Sequence, residues 1–523
     1  MQIRGIVLLA GMTINTVNLL AQDVREAYNL SNLTVQGTAR SMGFGNTLGS
    51  VGGDFSSLSV NPAGIGVYRS SEFSFTPSLR INSATGDYAG STSTDNNARF
   101  GFNNLSLVFT NAPKGPRYDK RSWKAVSFGI GMNKVADFNR NYSYFGKNNT
   151  SSASQAFESD ANWYPTDALT TDPSNALGSI GYQSYLLNQN LGNEFYSVVP
   201  YSGGINQMKS VEERGAINEI VISLGGNYKE KLLLGATVGV PSVRYKKTSY
   251  YTENVASGNT NNPENFSSFT YGNKLDISGN GVNLKLGAIY KFSKFFRAGI
   301  AFHTPTFYSI TDEFDPSMTS VVNGQTTILN TLSGGGLIHN QFDYRFSTPY
   351  KAVLSATIML NTFGFITADY EYVDYSAAKY YFSEGHDLVT GQSFKEQADA
   401  INREIGKTYG GVSNFRLGAE GRLGKFFMVR AGFGYYGDPY TSYGKSVQPA
   451  AYTTERIDIS CGFGFHFHHF FTDMGYVHSM YQGFEQPYAV DYSGVVSGPA
   501  ATVPTAKMNY SLNNFAWTIG VKF

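Results

Sequence analysis

Residues 457–468 read IDISCGFGFHFH, and this stretch decides what kind of sheet the chain can build. Ile457, Ile459, Cys461, Phe463, Phe465 and Phe467 fall on one side of an extended strand, while Asp458, Ser460, Gly462, Gly464, His466 and His468 fall on the other. The closing stretch behaves alike, with Phe515, Trp517, Ile519, Val521 and Phe523 opposed to Asn514, Thr518, Gly520 and Lys522. A strand of a soluble sandwich alternates too, but it ends after about 5–6 residues. These ladders run past the roughly 9–11 residues that carry a tilted strand across a bilayer.

Working outward, the same unit recurs from residue 72 onward: two alternating segments about a tight turn, then a long polar connection. Five hairpins stack on one another, at 225–240, 287–302, 355–372, 418–435 and 461–476. With the segments at 72–81, 99–111, 122–146, 216–228 and 508–523 and the outer hairpin arms, the pattern predicts about fourteen strands. Short turns near 112–121, 229–231, 291–294, 361–363, 424–425 and 468–470 alternate with long connections at 82–98, 147–215, 252–266, 312–340, 381–406, 438–450 and 487–507. Turns at one end and loops at the other are the mark of an outer-membrane barrel, and closure removes edges that would leave backbone groups unpaired in lipid. The expected fold is all-β: a transmembrane antiparallel β-barrel over 72–523.

Composition agrees. The chain has 523 residues, 15% of them charged and 15% aromatic, with 57 Gly; an ordinary soluble domain has about 25% charged residues. After the N-terminus no window approaches the roughly 18 uninterrupted apolar residues of a membrane helix. The formal net charge of +1 offers no field for nucleic acid. Residues 1–21 pair Arg4 with an apolar run and end on Ala21, the pattern of a secretory signal. Cys461 is the single cysteine, which excludes an intramolecular disulfide framework.

Between signal and barrel, residues 22–71 are rich in Gly and Ser and lack alternation. About eight strands is the size of barrel that side chains fill alone, so a barrel of about fourteen needs an occluding element. The segment 22–71 is expected to be that plug, folded inside the lumen, with Asn61-Pro62 setting a turn.

The order of signal, small plug carrying Asn61-Pro62-Ala63, and about fourteen strands ending in Phe523 resembles the FadL family of outer-membrane transporters for long-chain fatty acids and other hydrophobic compounds. Gly37 to Gly43, GTARSMG, is similar to that family's hatch. The resemblance implies a hatch-plugged barrel that takes an apolar ligand from its outer loops, holds it in the lumen and releases it sideways into the membrane through a gap at a kinked strand. In the third strand Val126, Phe128, Ile130 and Met132 share a face, and continuing the alternation points Lys134 at lipid. A kink is expected there, at Gly131, Asn133 and Lys134; the plainer alternative is a lysine marking the membrane interface.

Lys285, Arg416 and Arg430 lie near mid-strand on the polar face and are candidates for a ligand head group. Asp369, Glu420 and Asp458 are placed to neutralise them instead. His466 and His468 share the lumenal face and invite a haem or metal reading, but no third ligand follows at fixed spacing. GFGNTLG at 43–49 lacks the strand before it and the Lys-Ser/Thr after it that a phosphate loop needs. No nucleophile elbow or zincin helix occurs, so neither an enzyme nor a cofactor is expected.

The functional expectation is uptake of hydrophobic small molecules across the outer membrane of a Gram-negative bacterium. The alternative is a non-conducting barrel of the same fold serving as subunit, scaffold or shuttle in a larger outer-membrane assembly. Expected partners are the bilayer, the hydrophobic ligand, the outer-membrane insertion machinery through the C-terminal strand, and on the alternative reading other outer-membrane proteins. The longest connection, 147–215, is expected to be partly helical and to fold over the barrel mouth.

Overall fold

A computed structural model describes residues 24–113, 115–163, 177–332, 335–386, 393–447, 454–498 and 500–523. The expected signal, 1–21, lies outside the described residues. Fourteen antiparallel strands close into one barrel. In order they are β1 (Glu72–Tyr88), β2 (Ser91–Asn111), β3 (Trp123–Asp137, continued as Arg140–Asn148), β4 (Ile205–Tyr228), β5 (Leu232–Val255), β6 (Phe266–Lys291) and β7 (Phe296–His303, continued as Phe307–Val322). There follow β8 (Asn340–Ser347 and Lys351–Met359), β9 (Gly364–Asp374 and Lys379–Phe382), β10 (Gly411–Leu423), β11 (Phe427–Tyr436), β12 (Arg456–His466), β13 (Phe470–Glu485) and β14 (Ala506–Lys522). Each pairs with the next, and β1 pairs with β14 from Glu72↔Lys522 to Asp87↔Lys507, which closes the cylinder.

The outer face is the apolar half of each ladder. Ile130, Ile222, Leu286, Ile300, Phe433 and Phe463 are all exposed and lie on strands around the circumference. Exposed apolar area on that scale belongs in lipid. The described residues contain no helix long and apolar enough to cross a membrane. The inner face buries Ser, Thr, Asn and paired charges.

One expected connection is not a loop. Residues 82–98 continue β1 and β2 as a paired hairpin, Asn82↔Asn97 to Tyr88↔Ser91, turned by Ala89 and Gly90 alone. Both residues have positive φ, 46° and 81°, which suits a tight two-residue hairpin turn. STSTDNNA has no apolar face, so the ladder is invisible to a hydrophobic pattern. The expected connections 147–215, 252–266 and 312–340 are likewise shortened by strand: β4 starts at Ile205, β5 reaches Val255 and β7 reaches Val322. The turn at 112–121 instead carries a short helix, Pro116–Lys120.

The segment before β1 holds two helices, α1 (Val24–Ser31) and α2 (Ala39–Gly43), and two 3-10 turns, Phe55–Ser59 and Pro62–Val67. Its residues meet inward-facing groups all round the wall. Ala39 N–H donates to Thr518 Oγ1 on β14, Gly49 N–H to Asp369 on β9, and Ser59 Oγ to Glu219 on β4. The wall is thinned to receive it. Gly225, Gly235 and Gly287 stand side by side on β4, β5 and β6. A Cβ on Gly235 would lie 2.3 Å from Pro62 O. The same holds for Gly418 against Phe44 O and Gly475 against Ala39 O, each at 2.3 Å. Glycine here is a steric requirement of backbone lying on backbone.

Over the loop end fold α3 (Ser154–Trp163), α4 (Leu177–Gln183) and a small ladder of Leu187–Gln189 with Phe195–Ser197. Phe157, Ile180 and Leu187 pack there against Phe266 and Met318 at the ends of β6 and β7. Burial raises the pKa of the Asp160 carboxyl, partly offset by the Gly178 N–H it accepts.

Candidate functional site

β3 is interrupted, and the wall opens beside the interruption. β2 and β3 pair only from Asn111↔Val126 to Asn104↔Asn133. Beyond Asn133 a bulge falls between Lys134 and Ala136, and the strand breaks at Phe138 and Asn139. The continuation Arg140–Asn148 keeps its pairing with β4 but makes none with β2. It is held from the inside of the β1–β2 hairpin by side chains: Asn97 Nδ2 donates to Asn141 Oδ1 at 3.0 Å and Ser143 Oγ to Asp95 Oδ2 at 2.7 Å. Residues 91–103 of β2 therefore present an edge without a strand partner, with Phe100 71% exposed on its outer side.

Lys134 does not point at lipid. It is 8% exposed, its Nζ lies 3.1 Å from Asp137 Oδ2, and the same Nζ would be 3.1 Å from a Cβ on Gly101 of β2. Lys134 stays in register with Asn218, and because β2 pairs no further than Asn133 its side chain can reach across the seam, where Arg80 of β1 meets Asp137 at 3.5 Å. Among the predicted kink residues, Asn133 accepts from Asn104 at 2.8 Å and donates to Ser59 Oγ at 2.9 Å. Gly131 is covered by Phe55. The freed backbone of β3 is satisfied from within the bore: Thr34 N–H donates to Val135 O at 2.8 Å and Gln36 N–H to Lys134 O at 2.9 Å.

Behind the break lies a cavity of about 240 Å³ that includes Asp137, Phe138, Asn139 and Arg140 in its wall. Six tyrosines line it, Tyr28, Tyr375, Tyr436, Tyr440, Tyr481 and Tyr510, with Arg25, Arg80, Arg140 and Arg456 among them. Arg456 lies 3.8 Å from the Tyr436 ring centroid and 3.1 Å from Asp458, and Arg25 pairs with Glu485 at 2.6 Å. Aliphatic side chains are few, Val135, Ala136, Val412 and Leu512. The lining offers aromatic faces and guanidinium edges rather than a greasy tube.

The other predicted residues sit elsewhere. Asn61 caps the turn Pro62–Val67 by accepting from Ala63 N–H at 3.1 Å, and its Nδ2 reaches Gly49 O at 2.6 Å, Ile300 O at 3.3 Å and Ala288 O at 3.4 Å. Asn61-Pro62-Ala63 is thus a structural joint between the inner segment and β6–β7. Lys285 pairs with Glu219, Arg416 with Glu371 at 3.3 Å and Asp369 at 3.7 Å, and Arg430 with Glu420 at 2.7 Å and Asp473 at 2.6 Å. None of the three lines the cavity behind the seam. His466 lies 3.3 Å from Asp473, whereas His468 is exposed in the β12–β13 turn, so the two do not converge. Among the described residues no group of three or more His, Cys, Asp or Glu could hold a metal ion. Sequence reasoning missed the tyrosine–arginine lining, because its members come from the inner segment and from strands far apart in the chain.

No protein-family model matches this sequence, and no curated protein matches it. Solved structures do. A Pseudomonas aeruginosa FadL homologue superposes with a TM-score of 0.55 at 12% identity, covering 94% of this chain and 99% of its own. The Pseudomonas putida toluene transporter TodX gives a TM-score of 0.50 at 12% identity over 94% of this chain and all of its own (100%). A deletion variant of the TodX monoaromatic hydrocarbon channel gives 0.53, again at 12% identity, over 93% of this chain and 98% of its own. At that identity the likeness is one of fold, and it spans nearly the whole of each chain: this protein has a FadL-like β-barrel fold.

Proposed function

We propose that this protein is an outer-membrane transporter of hydrophobic small molecules in a Gram-negative bacterium, with short turns toward the periplasm and loops outside. The observation that carries the reading is the coincidence of the β3 break with the cavity: Asp137 to Arg140 are at once the interrupted strand and the cavity wall. A ligand leaving the cavity there meets the partnerless edge of β2 and then lipid. Segment 24–71 acts as the plug that closes the axial route, its backbone laid against wall glycines.

The lining supports an aromatic or amphiphilic ligand over a plain acyl chain, since ring faces outnumber aliphatic groups. The structural neighbour TodX is by name a toluene transporter and monoaromatic hydrocarbon channel, which agrees with that preference. Moving an apolar solute from water to membrane is downhill by about 0.8 kcal/mol per methylene, so no energy source is required.

The test is uptake of radiolabelled toluene and oleate by cells expressing the protein, with Gly101→Cys placed in a Cys461→Ser background. Reaction of that cysteine with a bulky methanethiosulfonate should lower uptake several-fold, and reduction should restore it. Uptake unchanged by modification would overturn lateral release. No uptake by the unmodified protein would favour the scaffold reading.

A further inference from the structure

Five cations are buried among the described residues: Lys134, Lys285, Arg297, Arg416 and Arg430. Four of them hold a carboxylate, as described above. Arg297, on the inner face of β7 near the turn end, does not. It is 9% exposed, and among the described residues its Nε is buried with no hydrogen-bond partner and its one side-chain hydrogen bond is Nη2 to the Met359 thioether at 2.9 Å. Its neighbours across the ladder, Thr357 and Lys291, supply no anion, and Lys291 is itself engaged by Glu230 at 3.2 Å. A guanidinium taken out of water without a counter-charge is strongly disfavoured, so its environment is incomplete as it stands.

Arg297 borders a second cavity, of about 230 Å³, separate from the one behind the seam. This cavity lies at the turn end, where the β8–β9 turn residues Asn361 and Thr362 form its rim. Its charged lining is Arg40, Arg297, Arg422 and Glu420. That is three guanidiniums against one carboxylate, and Glu420 is already spent. It accepts from Arg40 at 2.9 and 3.2 Å and from Arg430 at 2.7 Å. Arg422 makes no side-chain bond to a described residue and stands exposed at the rim, where it can meet an incoming anion first.

We propose that this turn-end cavity is an oxyanion site, taking a carboxylate or phosphate group between Arg297, Arg40 and Arg422. Planar guanidiniums match the paired oxygens of both groups, and an anion of either kind completes the donor set of Arg297. The site stands apart from the lateral seam and does not depend on what the seam transports.

The experiment is calorimetric titration of the purified full-length barrel in detergent with inorganic phosphate and, separately, with butyrate, in low-salt buffer. The native protein should bind one probe saturably, and which one it binds separates phosphate from carboxylate. Arg297→Met should weaken that binding at least tenfold, and Arg297→Lys should retain part of it. Unheated electrophoretic mobility checks that the barrel is closed. Should Arg297→Met fail to fold, Arg422→Gln leaves the buried charge in place and should weaken binding several-fold. No saturable binding of either probe, or equal binding by native protein and variants, would overturn the proposal.

Discussion

The backbone N–H of Gln36 donates to the carbonyl of Lys134 at 2.9 Å, stitching the chain inside the bore to the wall strand at the point where that strand leaves its partner. Proline at position 36 deletes the donor while keeping an extended backbone. Gln36→Pro should raise hydrogen exchange of residues 133–141 several-fold and leave the β10–β12 amides unchanged. Equal protection in both proteins would show that the stitch carries no load.

Asn61 presents its amide nitrogen to three carbonyl oxygens, of Gly49, Ala288 and Ile300. Asparagine and aspartate cap helices about equally well in general. Here Asn61→Asp turns a donor into an acceptor facing acceptors, so it should destabilise more than Asn61→Ala, which loses about 1–2 kcal/mol. Urea midpoints, with limited proteolysis of residues 24–71, read the order of the three proteins.

Gly235 has no room for a methyl group, since Pro62 O would lie 2.3 Å from it, whereas a Cβ on Gly421 would meet only Val429 Cγ2, at 3.5 Å. Gly235→Ala should dislodge the inner segment and cost about 1–3 kcal/mol, with ion leakage appearing in planar bilayers. Gly421→Ala should do neither.

Lys285 and Glu219 form a buried pair inside the wall. Removing one partner of such a pair costs about 3–5 kcal/mol, while replacing both by neutral groups is far milder. Lys285→Met should therefore be the unstable single variant and Lys285→Met/Glu219→Gln should recover most of the loss in thermal unfolding. Normal stability with lost ligand uptake in Lys285→Met would assign the lysine to ligand contact.

Within the membrane band the strands were legible because lipid demands an apolar residue at every second position, as from Ile457 to Phe465. Above the band that demand lapses. Asn82 to Asn97 therefore form strand without showing it. The segment before β1 stands out in the sequence by its glycine-rich composition and want of alternation, but its contacts do not, because the matching wall glycines lie on strands hundreds of residues away. Lys134 keeps its register with Asn218, but β2 leaves the strand after Asn133, so the long side chain turns across the open seam to Asp137, a contact no alternation pattern shows. Nothing local distinguishes Arg297 from Arg416 or Arg430; its lack of a carboxylate is decided by Thr357 and Lys291, which pairing alone brings beside it.

β6 runs for 26 residues and β11 for only 10. At about 3.3 Å per residue and a tilt near 40°, that difference of 16 residues makes the barrel about 40 Å taller on one side. The mouth is consequently cut on a slant, like a quill, with its low lip on the β10–β12 side. Tyr436 and Arg456, at that lip, belong to the cavity lining. On that side the tyrosine-lined chamber lies directly beneath the rim, whereas on the tall side it lies deep behind the wall.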